Sequence, residues 1–200
     1  MQTLNRTSLF VVINSVFIGV QGMIHAVSAI MKGDVVTGGM MLDSIGAMTL
    51  IQNYLYTGIV SALIGALIVL WVLTNVNNRF YTPVFILLCL ALFLTGGGVA
   101  FTLFFLFTIF ASTQITGPYK WLGMMLSGRF GEILRNGWKF FMISSYACLA
   151  CGMAVWILLI PPGMEHAISW KEYLCWSFLL LGITGMIPAV LAGLEKGNRQ

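Results

Sequence analysis

Long apolar runs alternate along this chain with short stretches that hold nearly all of its charge. The runs predict helices over about 8–31, 54–73, 84–111, 140–160 and 173–194, each near or above the ~20 residues that a bilayer core demands. Trp71 closes the second run as an interfacial anchor, Tyr81 and Pro83 open the third, and Pro161-Pro162 ends the fourth because proline cannot continue a helix. The expected architecture is an all-α, polytopic transmembrane helix bundle of about five spans, formed as one integral membrane domain over residues 1–200.

Two stretches strain that pattern. The third run has about 28 residues, so a straight helix would measure roughly 42 Å against a hydrocarbon core of about 30 Å. It also carries Gly96-Gly97-Gly98 near its middle, and each glycine costs a helix about 1 kcal/mol. A tilted, kinked helix with these glycines as a hinge is the expected form; a break into a re-entrant pair would invert the topology downstream. Residues 33–53, rich in Gly and Met, are too polar to span and too apolar for a free loop, which predicts an interfacial or re-entrant segment.

Composition agrees with the pattern. Hydrophobic residues make up 59% and charged residues 8%, more apolar surface than a soluble domain of this length can hide. The net charge of +4 suits loops facing anionic lipid and is far too weak to point to nucleic acid. Cys89, Cys148, Cys151 and Cys175 all fall in apolar runs, so a secreted disulfide framework is not expected. Arg6, the run 9–20 and Val27-Ser28-Ala29 imitate a signal peptide, but the run is long enough to be retained as a first span. Asn5-Arg6-Thr7 is formally a glycosylation sequon.

With five crossings, Arg6, Arg79 and Lys171 fall on one side and the other seven basic residues on the opposite side. The positive-inside rule then places the N-terminus outside and the C-terminus in the cytoplasm. The stretch 117–139 reads as an interfacial helix: Lys120, Arg129, Arg135 and Lys139 alternate with aromatic and aliphatic residues, a pattern that fits anionic lipids.

Candidate chemistry concentrates in the first span. Asn14, Gln21, His25 and Ser28 share one arc of the helix, and polar groups in hydrocarbon cost roughly 2–3 kcal/mol or more if unsatisfied. The stripe must therefore face protein or a wet cavity, and His25 with Asp43, folded back from 33–53, could hold a proton or a polar ligand. Interhelical hydrogen bonding alone is the plainer account. Cys148 and Cys151 form a CxxC pair on the fourth span; membrane thiol–disulfide enzymes of the vitamin K epoxide reductase type place such a pair near a quinone. Here the pair lies deep in the span, no second pair relays electrons, and Ser144, Cys148 and Gly152 also form a small-residue packing row. Similar rows are Thr57, Ser61, Gly65 in the second span and Gly185, Ala189, Gly193 in the fifth, where Pro188 adds a second hinge. The methionines (Met40, Met41, Met48, and Met164 with His166) hint at copper, but no paired methionines stand at helical spacing in a span, so neither a metal nor a cofactor is expected.

Tyr56-Thr57-Gly58, Leu67 to Trp71, Leu94-Thr95-Gly96-Gly97-Gly98 and Gly117-Pro118-Tyr119-Lys120-Trp121 together resemble a family of small, uncharacterised bacterial multi-pass membrane proteins. The resemblance covers about 54–161; some members carry Asn-Lys-Pro where this chain has Thr116-Gly117-Pro118. It implies a bacterial cytoplasmic membrane and supplies no activity. The sequence therefore predicts a small binding or transport protein, or a membrane-complex subunit or homo-oligomer, with a polar cavity beside the first helix. A thiol–disulfide oxidoreductase using Cys148 and Cys151 with a quinone is the alternative.

Overall fold

The computed structural model describes residues 6–38, 41–42, 47–78, 80–97, 102–116, 129–159 and 170–194. In chain order these form α1 (Arg6–Met31), β1 (Met41–Leu42), β2 (Ala47–Met48), α2 (Tyr54–Asn75), α3 (Tyr81–Leu94), α4 (Thr102–Thr116), α5 (Arg129–Leu159) and α6 (Trp170–Leu194). Among the described residues, three helical stretches are long and apolar enough to cross a membrane: α1, α2 and Tyr173–Leu191 within α6. The surface supports that reading. Leu63, Leu67, Leu70 and Leu73 of α2 are each more than half exposed, whereas Asn14 and Ser15 of α1 are fully buried. Apolar groups outside and polar groups within suit solvation by lipid.

The chain divides into two compact units, 1–117 and 118–200. In the first, α1 and α2 pack antiparallel at small residues. A Cβ built on Gly19 would lie 2.7 Å from the Gly65 carbonyl oxygen, and one on Gly65 equally close to that of Gly19. A Cβ on Gly58 would meet the Ala26 carbonyl at 2.7 Å. Gly19 and Ala26, and Gly58 and Gly65, are one heptad apart, so the same edge of each helix returns to the contact every two turns. Asn53 caps α2 by accepting a hydrogen bond from the Tyr56 amide (3.2 Å).

The expectation of one kinked helix over 84–111 is corrected by the structure. The chain reverses between α3 and α4. Tyr81 faces Ser15 and Leu92 lies against Gly22, so α3 runs parallel to α1. Thr108 bonds Asn14, and the Phe104 ring lies 5.7 Å from that of Phe17, so α4 runs back antiparallel to α1. The two helices form a hairpin, with Leu92 near the end of α3 at the level of Gly22.

Gly96 and Gly97 explain why the chain turns there. Gly96 has φ +108°, a conformation that side-chain-bearing residues rarely adopt. The Gly97 amide then reaches back to the Leu92 carbonyl (2.8 Å), closing α3 as a Schellman end. At α3's other end, the Trp71 indole donates to the Tyr81 carbonyl (3.4 Å), joining α2 to its start.

Residues 33–53, expected as an interfacial or re-entrant segment, hold a β-hairpin in one antiparallel register. The Tyr54 amide bonds the Val35 carbonyl (3.0 Å) and the Thr37 amide that of Gln52 (3.4 Å). Further along, Met41 pairs with Met48 and Leu42 with Ala47. Its second arm also bridges Thr49 to Thr95, with the Leu50 amide bonding the Leu94 carbonyl (2.9 Å). At its base, Lys32 Nζ sits 4.4 Å above the Tyr54 ring, and the Asn53 amide group donates to Asp34 (2.6 Å).

In the second unit α5 and α6 pack antiparallel by the same device. A Cβ on Gly182 would meet the Ser145 carbonyl at 3.0 Å, and one on Gly152 the Cys175 carbonyl at 3.4 Å. The row facing α6 is thus Ser145, Leu149 and Gly152, in place of the expected Ser144, Cys148 and Gly152; Ser144 and Cys148 flank it, half-buried. Arg129 to Lys139, expected within a separate interfacial helix, are the first turns of the continuous α5. Helix α6 runs unbroken through Pro188 to Leu194.

Candidate functional site

The α3–α4 reversal, the β-hairpin and the polar faces of α1 and α2 define the candidate site. On α1, Asn14 donates its side-chain amide to the Thr108 hydroxyl, which in turn donates to the Phe104 carbonyl (2.8 Å). The next residue, Ser15, shares a hydrogen bond of 2.9 Å with the Tyr81 hydroxyl. Neighbouring polar residues of α1 thus hold both arms of the hairpin, Ser15 the start of α3 and Asn14 the middle of α4. Gln21 is buried on the same arc as Asn14 and His25 is half-buried. Ser28, at the end of the predicted stripe, is exposed and bonds its own helix at Ile24 (3.3 Å).

Asp43, expected to fold back on His25, and Gly98 lie outside the described residues, as do Lys120 and the copper candidates Met40, Met164 and His166. Among the described residues, no group of three His, Cys, Asp or Glu side chains could hold a metal ion. A depression of about 410 Å³ opens at the C-terminal end of α2, lined by Val12 and residues 73–78; Asn14, Gln21 and His25 do not line it.

A second polar cluster lies on α2. Thr57 and Ser61 belong to the predicted small-residue row, of which Gly65 makes a close approach to α1. Thr57 Oγ1 lies 3.0 Å from Thr49 Oγ1 and donates to the Ile51 carbonyl (2.9 Å). Ser61 donates to the Thr95 carbonyl. Thr49, Thr57 and Ser61 are each at most 1% exposed, so these hydroxyls tie α2, the β-hairpin and the end of α3 into one buried knot. Two hydroxyls one turn apart in an otherwise apolar span are the signal that marks this face in the sequence.

The four cysteines are free thiols. Cys151 is exposed on α5 and Cys148 half-buried, while Cys175 is buried, its Sγ 3.3 Å from the Gly152 carbonyl oxygen. Protein treated with oxidised quinone and then analysed by intact mass is expected to keep all four thiols. Reversible loss of two hydrogens at Cys148 and Cys151 would instead revive the oxidoreductase reading.

The fold and its buried polar groups are those of a helical protein compatible with membrane insertion. Comparison with protein-family models, with curated proteins and with solved structures finds no match.

Proposed function

We propose that this chain is a bacterial cytoplasmic-membrane protein that binds or carries a small polar solute at the tip of a re-entrant hairpin. The observation that carries the proposal is the meeting of two non-helical backbones at Thr49–Thr95, reached by α3–α4 from one side and by the β-hairpin from the other. Ser61, which bonds Thr95, lies between Gly58 (opposite Ala26) and Gly65 (opposite Gly19), so the tip stands roughly 12 Å inside the C-terminal end of α1 at 1.5 Å per residue. Irregular backbone at such depth persists where protein buries it or where it lines a polar path, and transport proteins build their sites from such breaks. Gln21 and His25 flank that level on α1.

A re-entrant hairpin also changes the orientation. Helices α1, α2, α5 and α6 become four full crossings, and α4 returns to the face on which α3 began. Arg6, Arg79, Lys120, Arg129, Arg135, Lys139, Lys196 and Arg199 then share one side, leaving only Lys32 and Lys171 opposite. Eight of the ten basic residues on one face is a stronger bias than the seven that five crossings give, and it sets both termini in the cytoplasm. The exposed Arg129 and Lys139 at the start of α5 would then meet the anionic leaflet.

Hydrogen–deuterium exchange in lipid nanodiscs tests the solute path. Amides of 47–53 and 92–97 should exchange within minutes while those around Gly19 in α1 stay protected for hours, because a path brings water to the tip. Equal protection of both regions would reduce the hairpin to scaffolding.

A further inference from the structure

His25 is the one Asp, Glu, His, Lys or Arg residue within the apolar helical stretches 8–31, 54–75, 81–94, 102–116, 140–159 and 173–194. An ionisable group at that depth is costly, and membrane proteins keep one where its change of charge is used. Its place on α1 follows from its neighbours. At 100° per residue His25 projects between Gln21 and Gly22. Gln21 is 4% exposed, and a Cβ on Gly22 would lie 2.8 Å from the Leu92 methyl carbons. The half-buried His25 is thus on the side of α1 that meets α3. Because α1 and α3 run parallel, His25, one turn beyond Gly22, stands abreast of the residues that follow Leu92, where α3 ends at Thr95.

Two opposing effects act on an imidazole there. Partial burial disfavours the charged form. The C-terminus of α3 carries the equivalent of about half a negative charge and favours it. The other charged groups at this end of α1 are engaged elsewhere: Lys32, two turns further along, is held over the Tyr54 ring at 4.4 Å, and Asp34 accepts from the Asn53 amide group (2.6 Å). Helices α2 and α4 carry no Asp, Glu, His, Lys or Arg; the titratable groups of α2 are Tyr54 and Tyr56 at its start. On α3 they are Tyr81, bonded to Ser15, and Cys89, both buried. Asp43 lies outside the described residues. We propose that His25 takes up a proton from water reaching the hairpin tip, and that the imidazolium so formed draws the end of α3 onto α1. Loss of that proton loosens the tip, where Gly96 and Gly97 already end the helix. This rests on the proposed solute path and makes a proton the ion that closes and opens it.

The test is hydrogen–deuterium exchange of the full protein in nanodiscs at about pH 5.5 and about pH 8, either side of the ordinary imidazole range, with rates corrected for the intrinsic pH dependence of exchange. Amides of 92–97 should be about fivefold more protected at the lower pH, a factor of about 1 kcal/mol and within reach of a charge at a helix end. His25→Gln should abolish the difference while leaving amides around Gly19 unchanged. Should that variant fail to fold, an imidazole NMR titration replaces it, with His166→Gln removing the signal of the other histidine. His25 must then gain its proton over the pH range in which tip protection rises. Equal corrected exchange at both pH values, a pH response that survives His25→Gln, or an imidazole that stays in one form throughout would overturn the switch. The absolute rates judge the path separately. A tip that exchanges within minutes at both pH values alike keeps the path and removes the proton, whereas a tip protected for hours that still responds through His25 keeps the proton site and removes the path.

Discussion

Alanine at Gly97 is expected to destabilise the protein by about 1–3 kcal/mol, the usual cost of forcing atoms into filled space. A Cβ there would lie 2.5 Å from Leu92 Cγ and 2.7 Å from the Leu92 carbonyl oxygen, the same oxygen that the Gly97 amide bonds to close α3. Alanine at Gly96 should cost about 1–2 kcal/mol through its positive φ. The sign of the effect is decisive. In a continuous helix each exchange would remove a glycine penalty and stabilise by about 1 kcal/mol. Gly38→Ala is the control, because nothing lies within 4 Å of a Cβ at that position, and it should be neutral or slightly stabilising. Thermal unfolding of the three variants in nanodiscs reads the result: losses at Gly96 and Gly97 support the hairpin, whereas gains at both would restore a single span.

The helices long and apolar enough to cross a membrane were legible from hydropathy at the start of the chain. The spans expected over 8–31 and 54–73 match α1 and α2 to within two residues at every end. The reversal after Leu94 was not. Both arms of the hairpin are apolar throughout, so periodicity says nothing about the direction in which the second arm runs. Gly96-Gly97-Gly98 marked a weak point, but a kink and a full reversal need the same glycines. Long-range pairs, Asn14 with Thr108 and Phe17 with Phe104, settle the direction, and hydropathy specifies no partners.

The same limit applies to the site. Asn14 stood out because an amide in hydrocarbon must be satisfied, and the structure shows by what. Thr49, Thr57, Ser61 and Thr95 were harder to read, because hydroxyls in helices often satisfy themselves on their own backbone. Ser177 and Thr184 do so, donating to the carbonyls four residues before them. Ser61 instead reaches across to α3. Nothing local separates the two behaviours; the arrival of the β-hairpin does.

The central claim is that α3 and α4 enter the bilayer and return to the same face, and the sidedness of one position before them and one after them tests it most directly. Single cysteines at Asn77, in the exposed turn between α2 and α3, and at Glu132, exposed at the start of α5, can be labelled with a membrane-impermeant maleimide in intact cells and in inverted vesicles. The unmodified protein gives the background from its four native thiols. Labelling of both Asn77→Cys and Glu132→Cys in inverted vesicles alone is the predicted result. It puts the chain before α3 and after α4 on the cytoplasmic face, as eight basic residues on one face require. Labelling of the two variants from opposite faces would contradict the re-entrant hairpin and make α3–α4 a crossing.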